Sequence, residues 1–101
     1  MREYTDTHEW VETVEGIATV GITTAAVSEI GDIVYVELPK IDKSVEKGTC
    51  VCIVESTKAA VDIESPVSGT IIAVNEALQR DISLLNKKPE SDGWLFKIRV
   101  T

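Results

Sequence analysis

The stretch Val54-Glu55-Ser56-Thr57-Lys58-Ala59-Ala60-Val61-Asp62-Ile63 sets two apolar segments on either side of a short polar bend. Segments of this composition favour paired strands, and a bend over residues 56–58 would place the Lys58 amine at the tip of a hairpin. No Asn-Gly or Asp-Gly marks the turn and residues 55–61 also suit a helix, so the helix stays open as an alternative. On local grounds alone, Lys58 is an ordinary solubilising lysine.

The same strand signal recurs along the rest of the chain. Short runs rich in Val and Ile alternate with Gly, Pro, Asp and Asn, a pattern typical of antiparallel sandwiches and flattened barrels. The predicted strands are 10–14, 17–22, 33–38, 50–54, 59–63, 70–74 and 94–100. Residues 23–30, which begin with threonines and precede Gly31, predict a short helix, and residues 82–85 predict a further helical turn. We therefore expect a mainly β fold, a flattened sandwich of two antiparallel sheets with one or two short helices.

Length and charge limit the classes of function. A chain of 101 residues can bury one modest core, so we expect a single domain over residues 1–101. Seventeen acidic and ten basic residues give a net charge of −7, which disfavours nucleic-acid binding and favours partners with basic docking surfaces. The sequence has no membrane-length apolar run and no secretion signal, so we expect no membrane association. The expected location is the bacterial cytoplasm, or an organelle matrix in a eukaryote.

Residues capable of catalysis are few. The sequence lacks a P-loop, Gly-x-Ser-x-Gly, His-Glu-x-x-His and Gly-x-Gly-x-x-Gly, and we expect neither a metal site nor catalysis by the chain itself. Its single histidine, His8, is expected to pack or hydrogen-bond beside Trp10. Cys50 and Cys52 are expected to be reduced, half-buried thiols on one face of a strand, because residues i and i+2 share a face.

Separated motifs change the interpretation of Lys58. Glu55-Ser56-Thr57-Lys58-Ala59-Ala60 and Ser65-Pro66-Val67-Ser68-Gly69 resemble the lipoyl-attachment region of glycine cleavage H proteins. The matching blocks elsewhere, in the family's order, are Tyr4-Thr5, His8-Glu9-Trp10, Val20-Gly21-Ile22-Thr23, Gly31-Asp32-Ile33-Val34, Asn86 and Gly93-Trp94-Leu95. Biotin carriers, in contrast, set their lysine between methionines, and lipoyl domains of 2-oxoacid dehydrogenases usually carry Asp before it. The resemblance implies a lipoyl-domain type fold, a barrel-sandwich hybrid, with lipoic acid attached covalently to Lys58.

The resemblance also implies a function. The chain would be a non-catalytic, monomeric carrier that shuttles an aminomethyl group between glycine decarboxylase (P protein), aminomethyltransferase (T protein) and dihydrolipoamide dehydrogenase (L protein). A lipoate-attaching enzyme would modify the chain. Glu55 would either help that enzyme to recognise the hairpin tip or only solvate the end of a strand. Gly69, like Gly48, is expected to be a turn glycine, Gly69 supporting the site. In this family the loaded arm can fold back against the body and be sheltered there. Glu12, Glu15 or the apolar residues near them are candidates to line that shelter, which stays unassigned.

The sequence departs from the family pattern at several positions. Thr57 stands where Val is common, Val61 where Ser is common, and Glu90 where a tyrosine follows the proline. The family usually continues beyond Gly93-Trp94-Leu95 into a C-terminal helix, whereas this sequence ends at Thr101. Two alternatives therefore stay open: an H-like lipoate relay that donates lipoate to other complexes or serves redox regulation, and an unmodified structural or interaction domain.

Overall fold

Nine strands and three short helices make up residues 2–101, the part of the chain that the computed structural model describes. The strands are β1 (Arg2–Tyr4), β2 (Glu9–Val14), β3 (Ile17–Ile22), β4 (Ile33–Glu37), β5 (Ser44–Val45), β6 (Cys50–Ser56), β7 (Ala60–Glu64), β8 (Gly69–Val74) and β9 (Phe96–Val100). The helices are α1 (Thr24–Ile30), α2 (Ala77–Arg80) and α3 (Ser83–Lys87).

The strands form two sheets around one core. The larger sheet has the order β1-β2-β3-β9-β8-β5, and the smaller sheet has the order β4-β6-β7. All strand pairings are antiparallel. Both sheets contribute fully buried side chains to one apolar cluster, Val20, Phe96 and Ile98 from the larger and Val54 and Ile63 from the smaller. The predicted sandwich of two antiparallel sheets is confirmed.

All seven predicted strands are present, with ends that differ by at most two residues from the prediction. The structure adds β1 and β5, which have three and two residues and were not predicted. It also has three helices instead of one or two, because residues 77–80 form the unpredicted α2. None of the helices in the described range is long and apolar enough to cross a membrane.

Helix α1 forms where the sequence predicts it. The Thr23 side chain accepts a hydrogen bond from the Ala26 N–H at 3.1 Å, which caps the first turn. Gly31 follows the last turn, and its N–H donates to the Val27 carbonyl at 3.2 Å. The two ends of α1 are therefore fixed by local contacts, and its C-terminal end leads directly into β4.

The environments of the cysteines differ from the prediction. Cys50 is exposed and Cys52 is buried, although both lie on β6. A register shift in the pairing of β6 with β7 falls between them and breaks the alternation that would give them a common face. Burial raises the pKa of the Cys52 thiol to about 12.

Trp10 packs as expected, whereas His8 does not. Trp10 is 2% exposed and its indole N–H donates to the Pro89 carbonyl at 2.9 Å. Trp94 is half-buried, with the Lys97 ammonium 5.0 Å from its ring centroid. The prediction that His8 packs or hydrogen-bonds beside Trp10 is wrong: its backbone adopts φ 75°, and its side chain is exposed.

Glu90 connects the N-terminal strand to the start of α1. Its carboxylate accepts hydrogen bonds from the Tyr4 hydroxyl and from the Thr24 N–H, each at 2.8 Å. Arg2 donates to the Glu90 carbonyl at 2.7 Å and lies 3.6 Å from its carboxylate. These contacts join Arg2, Tyr4, Thr24 and Glu90 in one cluster. The hydrogen bond from the Thr24 N–H, helped by that from Tyr4, lowers the pKa of the Glu90 carboxyl.

The lowered pKa of Glu90 predicts a pH-dependent contribution to stability. A carboxyl group whose pKa is lower in the folded state stabilises the fold above its unfolded pKa, about 4.3, and this contribution is lost as the pH falls through the folded pKa. Glu90→Gln is expected to destabilise the protein by about 1 kcal/mol at pH 7 and to weaken the fall in Tm between pH 6 and about pH 3. Thermal unfolding across this range measures both effects. Glu76→Gln, which alters an exposed carboxylate, is the control, and an unchanged pH dependence in Glu90→Gln would contradict the assignment.

Candidate functional site

Lys58 lies at the bend of the β6–β7 hairpin. Glu55 of β6 is opposite Ala60 of β7, and the Ser56 N–H donates to the Ala59 carbonyl at 2.8 Å. The Ser56 hydroxyl oxygen accepts hydrogen bonds from the N–H groups of Lys58, at 3.2 Å, and of Ala59, at 3.0 Å. A serine side chain thus closes the turn without a glycine. The hairpin prediction is confirmed, and the alternative helix over residues 55–61 is excluded.

The bend is attached to the body of the protein. The Thr57 N–H donates to the Asp32 carbonyl at 3.1 Å, and Ile33 of β4 is opposite Ser56 of β6. The Asn86 carboxamide of α3 then pairs with both backbone polar groups of Ile33, accepting from the N–H at 2.7 Å and donating to the C=O at 3.0 Å. The turn between α1 and β4 therefore supports the hairpin, and α3 in turn holds that junction.

The Lys58 side chain is exposed, as are Thr57, Ala59 and Ala60 around it. Within residues 2–101 its ammonium has neither an ion pair within 4.0 Å nor a hydrogen bond. Lys58 is also the only basic residue between Lys47 and Arg80. The site thus presents one accessible primary amine on a fixed backbone, an arrangement suited to acylation by an external enzyme.

Glu55 and Gly69 have different relations to Lys58. Glu55 is half-buried on β6, three residues before Lys58, opposite Tyr35 on the neighbouring strand β4. Gly69 lies beyond the end of β7 that is distant from the bend, so the structure does not bring it to Lys58.

The expectation that Gly69 is a turn glycine is wrong. Gly69 is buried, begins β8, pairs with Val100 of β9, and is absent from the glycines with positive φ. A Cβ at this position would lie 2.1 Å from the Arg99 carbonyl oxygen, so close strand packing explains the glycine. Gly48, with φ 90°, is the turn glycine that was predicted.

A cavity of about 460 Å³ adjoins β2 and the end of β7. Its polar wall includes Glu9, which is only 1% exposed and accepts hydrogen bonds from the hydroxyls of Thr5, at 2.6 Å, and Thr7, at 2.5 Å. The other carboxylate oxygen accepts from the Glu64 N–H at 3.2 Å. The cavity therefore combines a buried carboxylate with hydroxyl groups and an opening to solvent.

Of the sequence candidates for a sheltering surface, the two carboxylates do not line this cavity, whereas Val11, an apolar neighbour of Glu12, does. Glu12 pairs with Arg2 at 3.2 Å, and Glu15 lies in the β2–β3 turn with φ 51°. No periodic signal marks Glu9 and its hydroxyl partners, because residues 6–8 form a turn, with His8 at φ 75°, instead of an extended strand. No cluster of three or more His, Cys, Asp or Glu side chains suited to a metal ion occurs between residues 2 and 101.

Two antiparallel sheets around one core, with a lysine exposed at a hairpin bend, define a barrel-sandwich domain of the lipoyl type. The sequence model of the family described as "Glycine cleavage H-protein" matches residues 2–101. The chain belongs to the glycine cleavage H-protein family.

Individual relatives agree with this assignment. The glycine cleavage system H protein of Thermotoga maritima is 50% identical over 101 residues, which are 100% of this chain and 82% of that protein. The H protein of Methylacidiphilum infernorum is 51% identical over 100 residues, 99% of this chain and 78% of that protein. The crystal structure of a glycine cleavage system H protein from Mycobacterium marinum matches with a TM-score of 0.93 and 39% identity, covering 99% of this chain and 84% of that chain.

Proposed function

We propose that this protein is the lipoyl carrier of a glycine cleavage system and that lipoic acid is attached to the Lys58 amine. The observation that carries the proposal is an exposed, unpaired lysine at a hairpin bend that Ser56 and Asp32 hold in place. In a member of the H-protein family, this amine is the natural attachment point. We propose that residues 1–101 act as one lipoyl-binding domain, since both sheets share one core.

The residues around Lys58 fit an amide-linked arm. The exposed neighbours leave room for an enzyme to reach the amine, and no carboxylate of the described residues pairs with it. Bound lipoate supplies a disulfide that can accept an aminomethyl group together with electrons. The chain's part is positional: the rigid hairpin presents the arm, and tethering raises its effective concentration at each docked enzyme.

The proposed partners follow from the family and from charge. They are the P protein, the T protein, the L protein and a lipoate-attaching enzyme, with the chain acting as a non-catalytic carrier among them. A net charge of −7 favours docking on surfaces rich in Lys and Arg. Glu55, at the same end of β6 as Lys58, is proposed to aid recognition by the attaching enzyme. Gly69 is proposed to support the site only indirectly, through the packing of β8 on β9.

The cavity beside Glu9 is proposed to shelter the aminomethyl group carried by the arm. An extended lipoyl-lysine is about 14 Å long. Strand β7 begins two residues after Lys58, ends at Glu64 in the cavity wall, and spans about 13 Å at the usual rise per residue, so an arm extended along it ends near the cavity. An amine that reached the cavity would meet the Glu9 carboxylate, which would stabilise its charged form and keep the group from hydrolysis.

Glu9→Gln is expected to weaken this shelter. The lipoylated variant should lose its aminomethyl group to hydrolysis about tenfold faster than the unsubstituted protein, because one charge-assisted contact is worth roughly 1.4 kcal/mol or more. Ammonia release from the loaded protein, in the absence of the T protein, measures this rate. The matched control is Glu12→Gln, whose carboxylate lies outside the cavity and pairs with Arg2. Equal rates for the two variants would refute the proposed shelter.

Attachment itself is tested by mass spectrometry. The protein is incubated with a lipoate-attaching enzyme, ATP and lipoate, and the expected result is one lipoyl group on the peptide that contains Lys58. A chain that stays unmodified under conditions that modify another H protein would support the unmodified structural domain instead.

A further inference from the structure

The Lys58 side chain lies against Gly31, the residue that follows α1. A Cβ built on Gly31 would be 3.4 Å from Lys58 Cε and 4.0 Å from Lys58 Nζ. These distances correspond to ordinary van der Waals contact, so any side chain at position 31 would begin beside the end of the lysine. The Cε end of the Lys58 side chain therefore lies beside the bare Gly31 backbone, and its ammonium has no partner within the described residues.

Local conformation already requires a glycine at position 31. Its φ of 84° and ψ of −166° place it in a region that residues with a Cβ rarely adopt. This requirement explains the helix end, and it does not depend on Lys58. Gly16 and Gly48 have similar φ values of 79° and 90°, yet a Cβ on either would meet nothing within 4 Å. Contact with the attachment lysine thus distinguishes Gly31 among the glycines with positive φ in the described part of the chain.

We propose that Gly31 is a positioning residue for acyl transfer to Lys58, an inference that rests on the proposed function. The absence of a side chain at position 31 lets the Lys58 stem lie on the α1–β4 junction while its amine stays unpaired and open to the attaching enzyme. The same junction holds the bend, because the Thr57 N–H donates to the Asp32 carbonyl. The α1–β4 junction therefore contacts both the backbone of the bend and the Lys58 side chain.

The transfer step needs a free amine. The Lys58 ammonium first loses a proton, and the amine then attacks the carbonyl carbon of an activated lipoyl donor, an acyl adenylate. The new C–N amide bond forms as the C–O bond to the phosphate breaks, adenosine monophosphate leaves with the electron pair, and the nitrogen loses a second proton. Any group that holds the ammonium in its charged form slows the attack, and an acidic side chain at position 31 would do so.

The test compares Gly31→Asp with Gly31→Asn. The two side chains have nearly the same shape and the same backbone preference, and they differ in charge. At pH 7 and low salt, Gly31→Asp is expected to be lipoylated about threefold to tenfold more slowly than Gly31→Asn, because an adjacent carboxylate favours the protonated amine. The difference should shrink at about 1 M salt and at alkaline pH. Equal rates for the two Gly31 variants across pH would overturn the proposal.

Gly16→Asp and Gly16→Asn are the matched control pair. Gly16 has a similar φ and open space around it, in the turn between β2 and β3. The two Gly16 variants should be lipoylated at the same rate. If Gly16→Asp were slower than Gly16→Asn by the same factor as in the Gly31 pair, the effect would come from net charge and the proposal would be overturned.

A second readout separates this inference from the proposed function. Acetylation of Lys58 by a small uncharged reagent, followed by mass spectrometry, reports the reactivity of the amine without any enzyme. The Gly31→Asp variant should again react more slowly than Gly31→Asn. If the unsubstituted chain accepts no lipoyl group, the proposed function fails, while the small-reagent comparison still decides whether position 31 governs the Lys58 amine.

Discussion

Lys58→Arg is expected to abolish glycine cleavage supported by this protein while leaving its thermal unfolding unchanged. The guanidinium group keeps the positive charge, but it stays protonated and is not acylated, so no arm is attached. The stability should hold because Lys58 is exposed and makes no ion pair with the described residues. Ammonia release from glycine, in a mixture reconstituted with the P, T and L proteins, measures the loss.

Lys40→Arg is the matched control for this prediction. Lys40 is also exposed but lies in the loop between β4 and β5. Its replacement should leave both lipoylation and turnover at the level of the unsubstituted protein. Turnover retained by Lys58→Arg would refute the attachment at Lys58. An unsubstituted protein that is lipoylated and passes its lipoate on, but supports no glycine cleavage, would favour the lipoate relay.

Gly69→Ala is expected to destabilise the protein by about 3 kcal/mol and to lower its Tm by about 12 °C or more. The added methyl group would lie 2.1 Å from the Arg99 carbonyl oxygen and 2.6 Å from the Ile98 side chain, so β8 and β9 would have to separate. These two strands lie side by side in the larger sheet, whose inner face contributes much of the core. Chemical and thermal unfolding measure the effect.

Gly48→Ala provides the comparison for Gly69→Ala. A Cβ on Gly48 meets no atom within 4 Å, so its cost is that of the positive φ alone, about 1–2 kcal/mol. A Gly69→Ala protein that remains folded should still be lipoylated. If it unfolds like the unsubstituted protein but is no longer lipoylated, then Gly69 acts on the attaching enzyme directly and the packing explanation is wrong.

Most of the strands could be predicted because their signal is local. Val54 and Ile63, for example, lie in β-branched runs bounded by polar residues, and the polar residues between those runs predict the bend at Lys58. The strands β1 and β5 lack such a signal, since each is short and includes polar residues. They are strands because β2 and β8 offer them hydrogen-bonding partners.

The surroundings of Lys58 and Glu9 were beyond the reach of sequence patterns. Gly31 comes into contact with Lys58 only because β4 pairs with β6, and nothing in the sequence of these two strands predicts that they pair. Glu9 likewise owes one of its hydrogen bonds to Glu64, 55 residues along the chain. Gly69 was misassigned because a glycine required for close strand approach and one required for a turn look the same in a sequence.

The hydrogen bonds between Asn86 and Ile33 also bear on solubility. Strand β4 is an edge strand, and it carries two adjacent apolar side chains, Val34 and Tyr35, that are 56% and 50% exposed. An open edge of this composition invites strands of other molecules to add to it and polymerise. The Asn86 carboxamide hydrogen-bonds the N–H and C=O of Ile33, the first residue of the strand, so these groups are not free to pair with another strand. The protein can thus keep apolar residues near Lys58, where the proposed partner enzymes would dock, with less risk of self-aggregation.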